Sequence, residues 1–228
     1  MAEKFNSLGL ISATRTEFSH LSNLLAETGF TAVNSQAEKD LDWISGEFFS
    51  RRTLLIRSGV GKTSAAMAAQ FLVDRFKPEI MVNLGAAGGL NPDLKPGCVI
   101  LAHSCQEWDV ECLQALAPVL PLSVKELNPI LSVLMMEIFT GKIITGDTFV
   151  ADQKQRLALA RKFSAVAVDM ESAAIAKVAT ANGIPFLIIK GISDQADSQA
   201  NVDLEKNLKS ATAASFQILQ EILEKNLI

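Results

Sequence analysis

The apolar, largely branched run Ile184 to Ile189 follows directly on an alanine-rich stretch, SAAIAKVATANG, and this succession constrains the fold more than any other part of the chain. A short run of that kind reads as a buried strand, and the alanine-rich stretch before it reads as a helix packed closely against a sheet. The same alternation recurs from end to end. Ser7 to Ala13 reads as a first strand, and Thr14 opens a helix whose Phe18, Leu21, Leu24 and Leu25 share a face. Trp43–Phe49 and Thr53–Arg57 read as a hairpin around Ser50-Arg51-Arg52, with a helix starting near Gly61. Further strands are expected at Glu79–Leu84, Gly97–Ala102 and Gly141–Thr145, and helices from Asp152 to about Phe163 and from Asp203 to Lys225. The last helix carries Leu204, Leu208, Ala211, Ile218 and Ile222 on one stripe. Strands and helices alternating without an internal repeat predict an α/β fold, a three-layer sandwich with a central mixed sheet. No linker divides the 228 residues, so a single domain over 1–228 is expected.

Composition narrows the function classes. A chain with 49% hydrophobic and 20% charged residues has the makings of a deep core. Its formal charge of −4 and pI of 5.3 argue against a nucleic-acid surface, which needs clustered Lys and Arg. The N-terminal MAEKFNSLGLISA has an acid before its short apolar run and reads as a strand rather than a signal peptide, and no apolar run reaches membrane-spanning length. Cys98, Cys105 and Cys112 are odd in number and lack C-x-x-C spacing, which supports neither a disulfide framework nor a zinc site and suits a reducing cytoplasm. With only His20 and His103 present, a serine–histidine triad is a poor fit. Carboxylates are the better candidates for acid–base work.

Three acids stand at the ends of expected elements, where an open α/β sheet gathers its ligands. Asp194 follows the Ile184–Ile189 strand, Glu171 falls in the first turn of the alanine-rich helix, and Glu17 in the first turn of the first helix. Each has a purely structural alternative. Thr14 and Glu17 have the spacing of a capping box, Glu171 suits the positive end of a helix dipole, and Asp194 after Ser193 suits a turn or N-cap. Gly59-Val60-Gly61-Lys62-Thr63 imitates a phosphate loop, but Ile56 occupies the place of its first glycine. The segment reads as the start of a packing helix. Gly85-Ala86-Ala87-Gly88-Gly89 reads as a glycine-rich turn, either merely tight or open to a ligand. Phe149 suits stacking on a flat ligand or core packing, and Trp108, beside Asp109 and Glu111, suits a ligand wall or a loop anchor.

Taken together, LGLISATRTEF, SGVGKTSAA, NLGAAGGL with DLKPGCVI after it, TGDTFV, AVDMESAAIA and IPFLIIKGISDQAD resemble, in order and spacing, the 5′-methylthioadenosine/S-adenosylhomocysteine nucleosidases of the nucleoside phosphorylase superfamily. The resemblance runs from Leu8 to the C-terminal helix. It implies hydrolysis of an N-ribosidic bond, with Asp194 as the acid that protonates N7 of the purine and Glu17 as the base that holds the attacking water. Ser193 would hold Asp194, Glu171 would bind the ribose hydroxyls, and Met170 would line the ribose. Phe149 would stack on the base while the Val150 backbone reads the adenine edge. No metal or cofactor is implied. A homodimer is, because the family completes its 5′ pocket with a neighbouring subunit.

Phosphorylases of the superfamily hold phosphate with an Arg before the glycine-rich segment and a Ser or Thr within it; Asn83, Leu84 and Ala86 stand there instead, and Arg15 reads as a surface residue. Hydrolysis is therefore expected. Lys190 replaces the family's usual Arg, and QEWDVECLQ replaces a His/Asp-rich segment near the 5′ substituent, with Trp108 as a candidate wall of that pocket. Futalosine or aminodeoxyfutalosine, substrates of sister hydrolases in menaquinone synthesis, are the alternative. A purine-nucleoside binding module without turnover is the alternative of another class.

Overall fold

The computed structural model describes residues 5–38, 41–112, 115–121, 131–132, 134 and 138–228. Part of the least legible stretch after His103, including 113–114 and 122–130, lies outside the described residues.

Among the described residues one ten-stranded sheet dominates, joined by nine of its strands in the order β11-β10-β6-β12-β5-β1-β4-β3-β2. The strands are β1 (Ser7–Ser12), β2 (Thr31–Glu38), β3 (Leu41–Phe48), β4 (Arg51–Arg57), β5 (Ile80–Gly89), β6 (Val99–Glu107), β10 (Ile138–Thr145), β11 (Ala167–Asp169) and β12 (Phe186–Asp194). Short β9 (Leu120–Pro121) pairs with β6, and β7 (Glu111–Cys112) with β8 (Ala115–Leu116) makes a separate ribbon. Parallel pairing of β1 with β4 and β5, and of β5 with β12, meets antiparallel pairing of β12 with β6, so the sheet is mixed as expected.

The helices supply the other two layers. α2 (Lys62–Phe76) and α4 (Ser172–Ala181) cover one face, where Ala65, Ala68, Ala69, Ala173 and Ala176 join a core with Ile11, Ile56, Met81 and Ile188. Alanine on both helices lets their backbones approach the sheet closely. α1 (Arg15–Glu27) and α5 (Ala200–Glu224) cover the other face, packing Leu21, Leu25, Phe216, Ile218 and Ile222 on Leu10, Leu55, Val82 and Leu187. α3 (Gln153–Phe163), capped by the Asp152 carboxylate on Gln155 N–H, closes a smaller cluster of Leu90, Ile144, Val150, Leu159, Phe163 and Val168.

Two local expectations are corrected and one strand is added. The hairpin turn is only Phe49-Ser50, both at positive φ, because β4 starts at Arg51. β2, with no apolar run and with Thr31 to Ser35 exposed, is not legible in the sequence. The glycine-rich segment is strand rather than turn: Gly85 to Gly88 pair with Lys190 to Asp194 of β12, and Gly88 and Gly89 pair with β11. This second pairing closes β5, β12, β6, β10 and β11 into a ring, since β10 also pairs with β11. β12 pairs along one edge from Gly85 to Gly88, β11 takes the other edge at Gly88 and Gly89, and Ser215 and Glu17 accept from Gly85 and Ala86 N–H, which together order a stretch whose own propensity is for turns.

Candidate active site

Of the three predicted acids, Asp194 sits at a strand end of this ring, Glu171 two residues beyond the end of β11, and Glu17 on α1. Asp194 is the last residue of β12 and is 1% exposed. The Ser193 hydroxyl donates to its Oδ2 at 2.7 Å, and Ala196 N–H donates to Oδ1 at 2.8 Å. Burial pushes the Asp194 carboxyl above its ordinary range, aided by the negative charges of Asp203 and Asp197, and outweighs those two hydrogen bonds. The turn role expected for Asp194 is present, in the bond to Ala196, alongside a buried carboxyl that favours its proton.

Glu17 occupies the third position of α1, and its capping box with Thr14 is complete. Thr14 N–H and Oγ1–H donate to Glu17 Oε2 at 2.7 and 2.8 Å, while Glu17 N–H donates to Thr14 Oγ1 at 3.1 Å. The other oxygen, Oε1, accepts from Ala86 N–H at 2.9 Å, 69 residues away. One side chain therefore does both things expected of it as alternatives: it caps the helix and reaches the glycine-rich strand.

Glu171 is not in the first turn but at the N-cap of α4, where its carbonyl accepts from Ala174 and Ile175. Its side chain does no capping. That task falls to Asp169, whose carboxylate accepts from Ser172 N–H at 3.2 Å. Glu171 is thus free to reach Gly61 N–H, which donates to its Oε1 at 2.9 Å. Burial, and then the neighbouring charge of Asp169, push the Glu171 carboxyl up to about 8, against the pull of Lys190 and the Gly61 N–H.

Asp169 and Lys190 are the functional-site neighbours that sequence reasoning missed as a pair. Lys190 is 1% exposed with its ammonium 3.3 Å from Asp169 Oδ2. Burial opposes that charge, but Asp169, Glu171 and Glu17 outweigh it and hold Lys190 above its ordinary range. Asp169 also accepts from Thr145 Oγ1 at 2.6 Å and from the Ser172 hydroxyl, which in turn accepts from Asn83 Nδ2 at 2.9 Å. The D-x-x-S spacing of Asp169 and Ser172 is an N-cap signal that could have found Asp169.

A cleft opens at this end of the ring, lined by Gly88, Thr148, Phe149, Val150, Val168, Asp169, Met170 and Asp194. It brings together the predicted Phe149, Val150, Met170 and Asp194. Phe149 is 37% exposed, so its ring is not committed to the core. Ser193 stands behind Asp194; Ala86 precedes the lining Gly88 by two residues of β5, and Glu171 directly follows Met170. Trp108 is not among the lining residues. Its indole lies against Gly146, where an added Cβ would meet Nε1 at 2.4 Å, and it packs on the cluster under α3. Arg15 is exposed, as expected.

Comparison with known proteins places this geometry. The family model described as "Phosphorylase superfamily" matches residues 7–224. A 5′-methylthioadenosine/S-adenosylhomocysteine nucleosidase of Marinomonas sp. (strain MWYL1) is 31% identical over 96% of this chain and 99% of its own length. The chain belongs to this nucleosidase family of the phosphorylase superfamily. Among solved structures, the family's enzyme from Neisseria meningitidis in complex with methylthio-immucillin-A is similar with a TM-score of 0.82 and 27% identity, covering 96% of this chain and 99% of that one. Futalosine hydrolase of Helicobacter pylori has a TM-score of 0.87 at 23% identity, covering 96% and 98%, and shows the shared fold. At the two departures from the family expected of this chain, Lys190 is buried on Asp169, and Trp108 of the QEWDVECLQ segment is seated under Gly146 rather than in the cleft.

Proposed function

We propose that this protein hydrolyses the N-ribosidic bond of 5′-modified adenine nucleosides, 5′-methylthioadenosine and S-adenosylhomocysteine, releasing adenine. The observation that carries the reading is the spacing of two acids along β5: Glu17 is anchored on Ala86 N–H, and the Asp194 carboxylate lies beside Gly88. Two residues of strand separate the anchors by about 7 Å, so the two acids hold separate positions, as an acid and a base on opposite faces of a sugar must.

Breaking the C1′–N9 bond leaves an oxocarbenium-like sugar and negative charge on the departing base. In this reading Asp194, its proton favoured by burial, donates to N7 and lets adenine leave neutral. Glu17 takes the proton of the attacking water. Its two oxygens are held in place by the Thr14 and Ala86 donors. Glu171 accepts from the ribose hydroxyls, with Met170 against the sugar. Phe149 stacks on the base, and the Val150 backbone reads its edge. Ala86 brings no hydroxyl, and its N–H is already taken by Glu17, so phosphate finds no seat in place of water.

The reading includes a homodimer acting in the cytoplasm, each protomer a single domain. Exposed Val60 and Met67 on and beside α2, with Phe149 nearby in the proposed site, supply apolar surface for a partner. Free Cys98 and Cys105 suit a reducing compartment, and no helix among the described residues is long and apolar enough to cross a membrane.

Incubation with methylthioadenosine, S-adenosylhomocysteine, adenosine and aminodeoxyfutalosine in phosphate-free buffer tests the proposal. Free adenine and the free 5′-modified ribose are expected from the first two, at a rate that added phosphate leaves unchanged. Ribose-1-phosphate products, or binding of all four without cleavage, would overturn it. A higher kcat/KM for aminodeoxyfutalosine would reassign the substrate to the alternative class. Light scattering during turnover tests the dimer, which an equally active monomer would exclude.

A further inference from the structure

The GVGKT segment does more than begin a packing helix. Its two successive backbone N–H groups hold two carboxylates of the same chain: Gly61 donates to Glu171 Oε1 at 2.9 Å, and Lys62 donates to Asp147 Oδ1 at 2.7 Å. Gly61 is needed there, since φ is +94° and an added Cβ would stand 3.0 Å from Asp147 Oδ1. The Lys62 ammonium then turns to Asp109 Oδ1 at 2.6 Å, with Glu107 at 3.7 Å and Asp147 Oδ2 at 4.0 Å. Asp109 Oδ2 in turn accepts from Asp147 N–H at 2.8 Å. Lys62, Asp109 and Asp147 therefore close a ring of contacts around both polar ends of Asp147, two residues before Phe149. Lys177 balances Glu107 behind it.

We propose that Lys62 and Asp109 are positioning residues that, through Asp147, latch the 146–150 loop to the N-terminus of α2. One helix end then holds Glu171 and the Phe149–Val150 loop together, fixing the sugar-binding and base-binding sides of the site as one piece. This rests on the reading of the site given above. None of the three latch residues lines the cleft, so they act on the ligand only through the loop. The ring is built to persist. The positive end of α2 favours the Asp147 carboxylate, and the Lys62 side chain is 16% exposed, which limits screening by salt. Partial burial works against both charges, but their mutual hydrogen bond and attraction hold Lys62 above and Asp109 below the ordinary range. Asp147 itself is half-exposed, and a loop at the surface depends on such ties to stay in one conformation.

Trp108 reports on the latch. Its indole Nε1 is sealed from water with no hydrogen-bond partner among the described residues, directly against Gly146 at the base of the loop. Lifting the loop would wet it. In a Trp43→Phe background, which leaves Trp108 as the only tryptophan, Lys62→Met, Asp109→Ala, Asp109→Asn and the conservative Lys62→Arg are compared by emission, by calorimetric binding of adenine and by kinetics. If the closed fraction drops to about a tenth, adenine affinity falls about tenfold and KM rises to match, with kcat changed less than about threefold. Trp108 emission should shift to the red in the free variants and return on saturation with adenine, and Lys62→Arg should stay near the parent. Variants that fold, yet keep both adenine affinity and Trp108 emission, overturn the latch, as does a loss confined to kcat. Because adenine binding and emission need no turnover, an inactive parent protein would defeat the functional reading and still leave the latch to be judged.

Discussion

The Glu17 carboxylate joins Thr14, at the start of α1, to Ala86, on the central strand β5, through hydrogen bonds of 2.7 to 2.9 Å. All three donors are N–H or O–H groups, so both carboxyl oxygens are fixed in place. The approach is close enough that the strand has no side chain to spare. A Cβ on Gly85 would sit 2.3 Å from Glu17 Oε1, and Gly85 holds φ at +138°.

Gly85→Ala is therefore expected to displace Glu17 and to strain the backbone together. Turnover should fall by about 100-fold, the scale of a misplaced acid–base group, with a loss of stability of roughly 1 to 3 kcal/mol from the strained φ. Adenine-release kinetics and denaturant unfolding read the two effects; wild-type kinetics in this variant would mean that Glu17 is free to move without consequence.

Glu17→Gln replaces one acceptor oxygen with an NH2 among three donors. One buried donor loses its partner, which costs about 1 to 3 kcal/mol, and hydrolysis should fall while adenine still binds. A stability loss with unchanged turnover would leave Glu17 as a capping residue alone.

Asp194→Asn keeps the shape at the end of β12 and removes the proton that the base would receive. A fall in kcat of roughly 100-fold or more is expected, with melting close to wild type. Substrates whose leaving group needs no protonation should be cleaved by the variant much as by the parent; equal losses on all substrates would point to a binding role.

The Glu171 carboxyl titrates near 4.5 in an unfolded chain and near 8 in the fold. Between those values the folded protein holds a proton that unfolding releases. Its contribution to stability is full below about pH 4.5 and is lost as the pH rises through about 8. Glu171→Gln, neutral at every pH, should flatten the decline in melting temperature of the ligand-free protein across that window. Parallel melting curves for the two proteins would contradict the raised value.

Lys190→Met removes the ammonium from a buried pair and leaves Asp169 without its cation. Breaking such a pair costs about 3 to 5 kcal/mol, offset in part because Thr145 and Ser172 still donate to Asp169. Denaturant unfolding should show the loss, and Asp169→Asn added to Lys190→Met should recover much of it. No recovery in the double variant would show that the two charges do not depend on each other.

What the sequence determined by itself was local or periodic. Apolar runs and alanine-rich stretches specified the layers, because burial of a strand and close helix packing each leave a repeating signature. T-x-x-E announced the capping box, because donor and acceptor lie three residues apart. Tertiary structure decided everything that joins distant segments. The glycine run after Leu84 is a strand because β12 pairs with Gly85 to Gly88 and β11 with Gly88 and Gly89. Glu171 leaves its helix end to Asp169 and turns to Gly61, 110 residues away, and GVGKT holds carboxylates where its spacing suggested packing alone. Lys190 keeps its charge in the core because Asp169, 3.3 Å away, together with Glu171 and Glu17 outweighs its burial. Such contacts follow from strand register and helix placement, which depend on the whole chain's burial of apolar surface and are written in no short stretch of it.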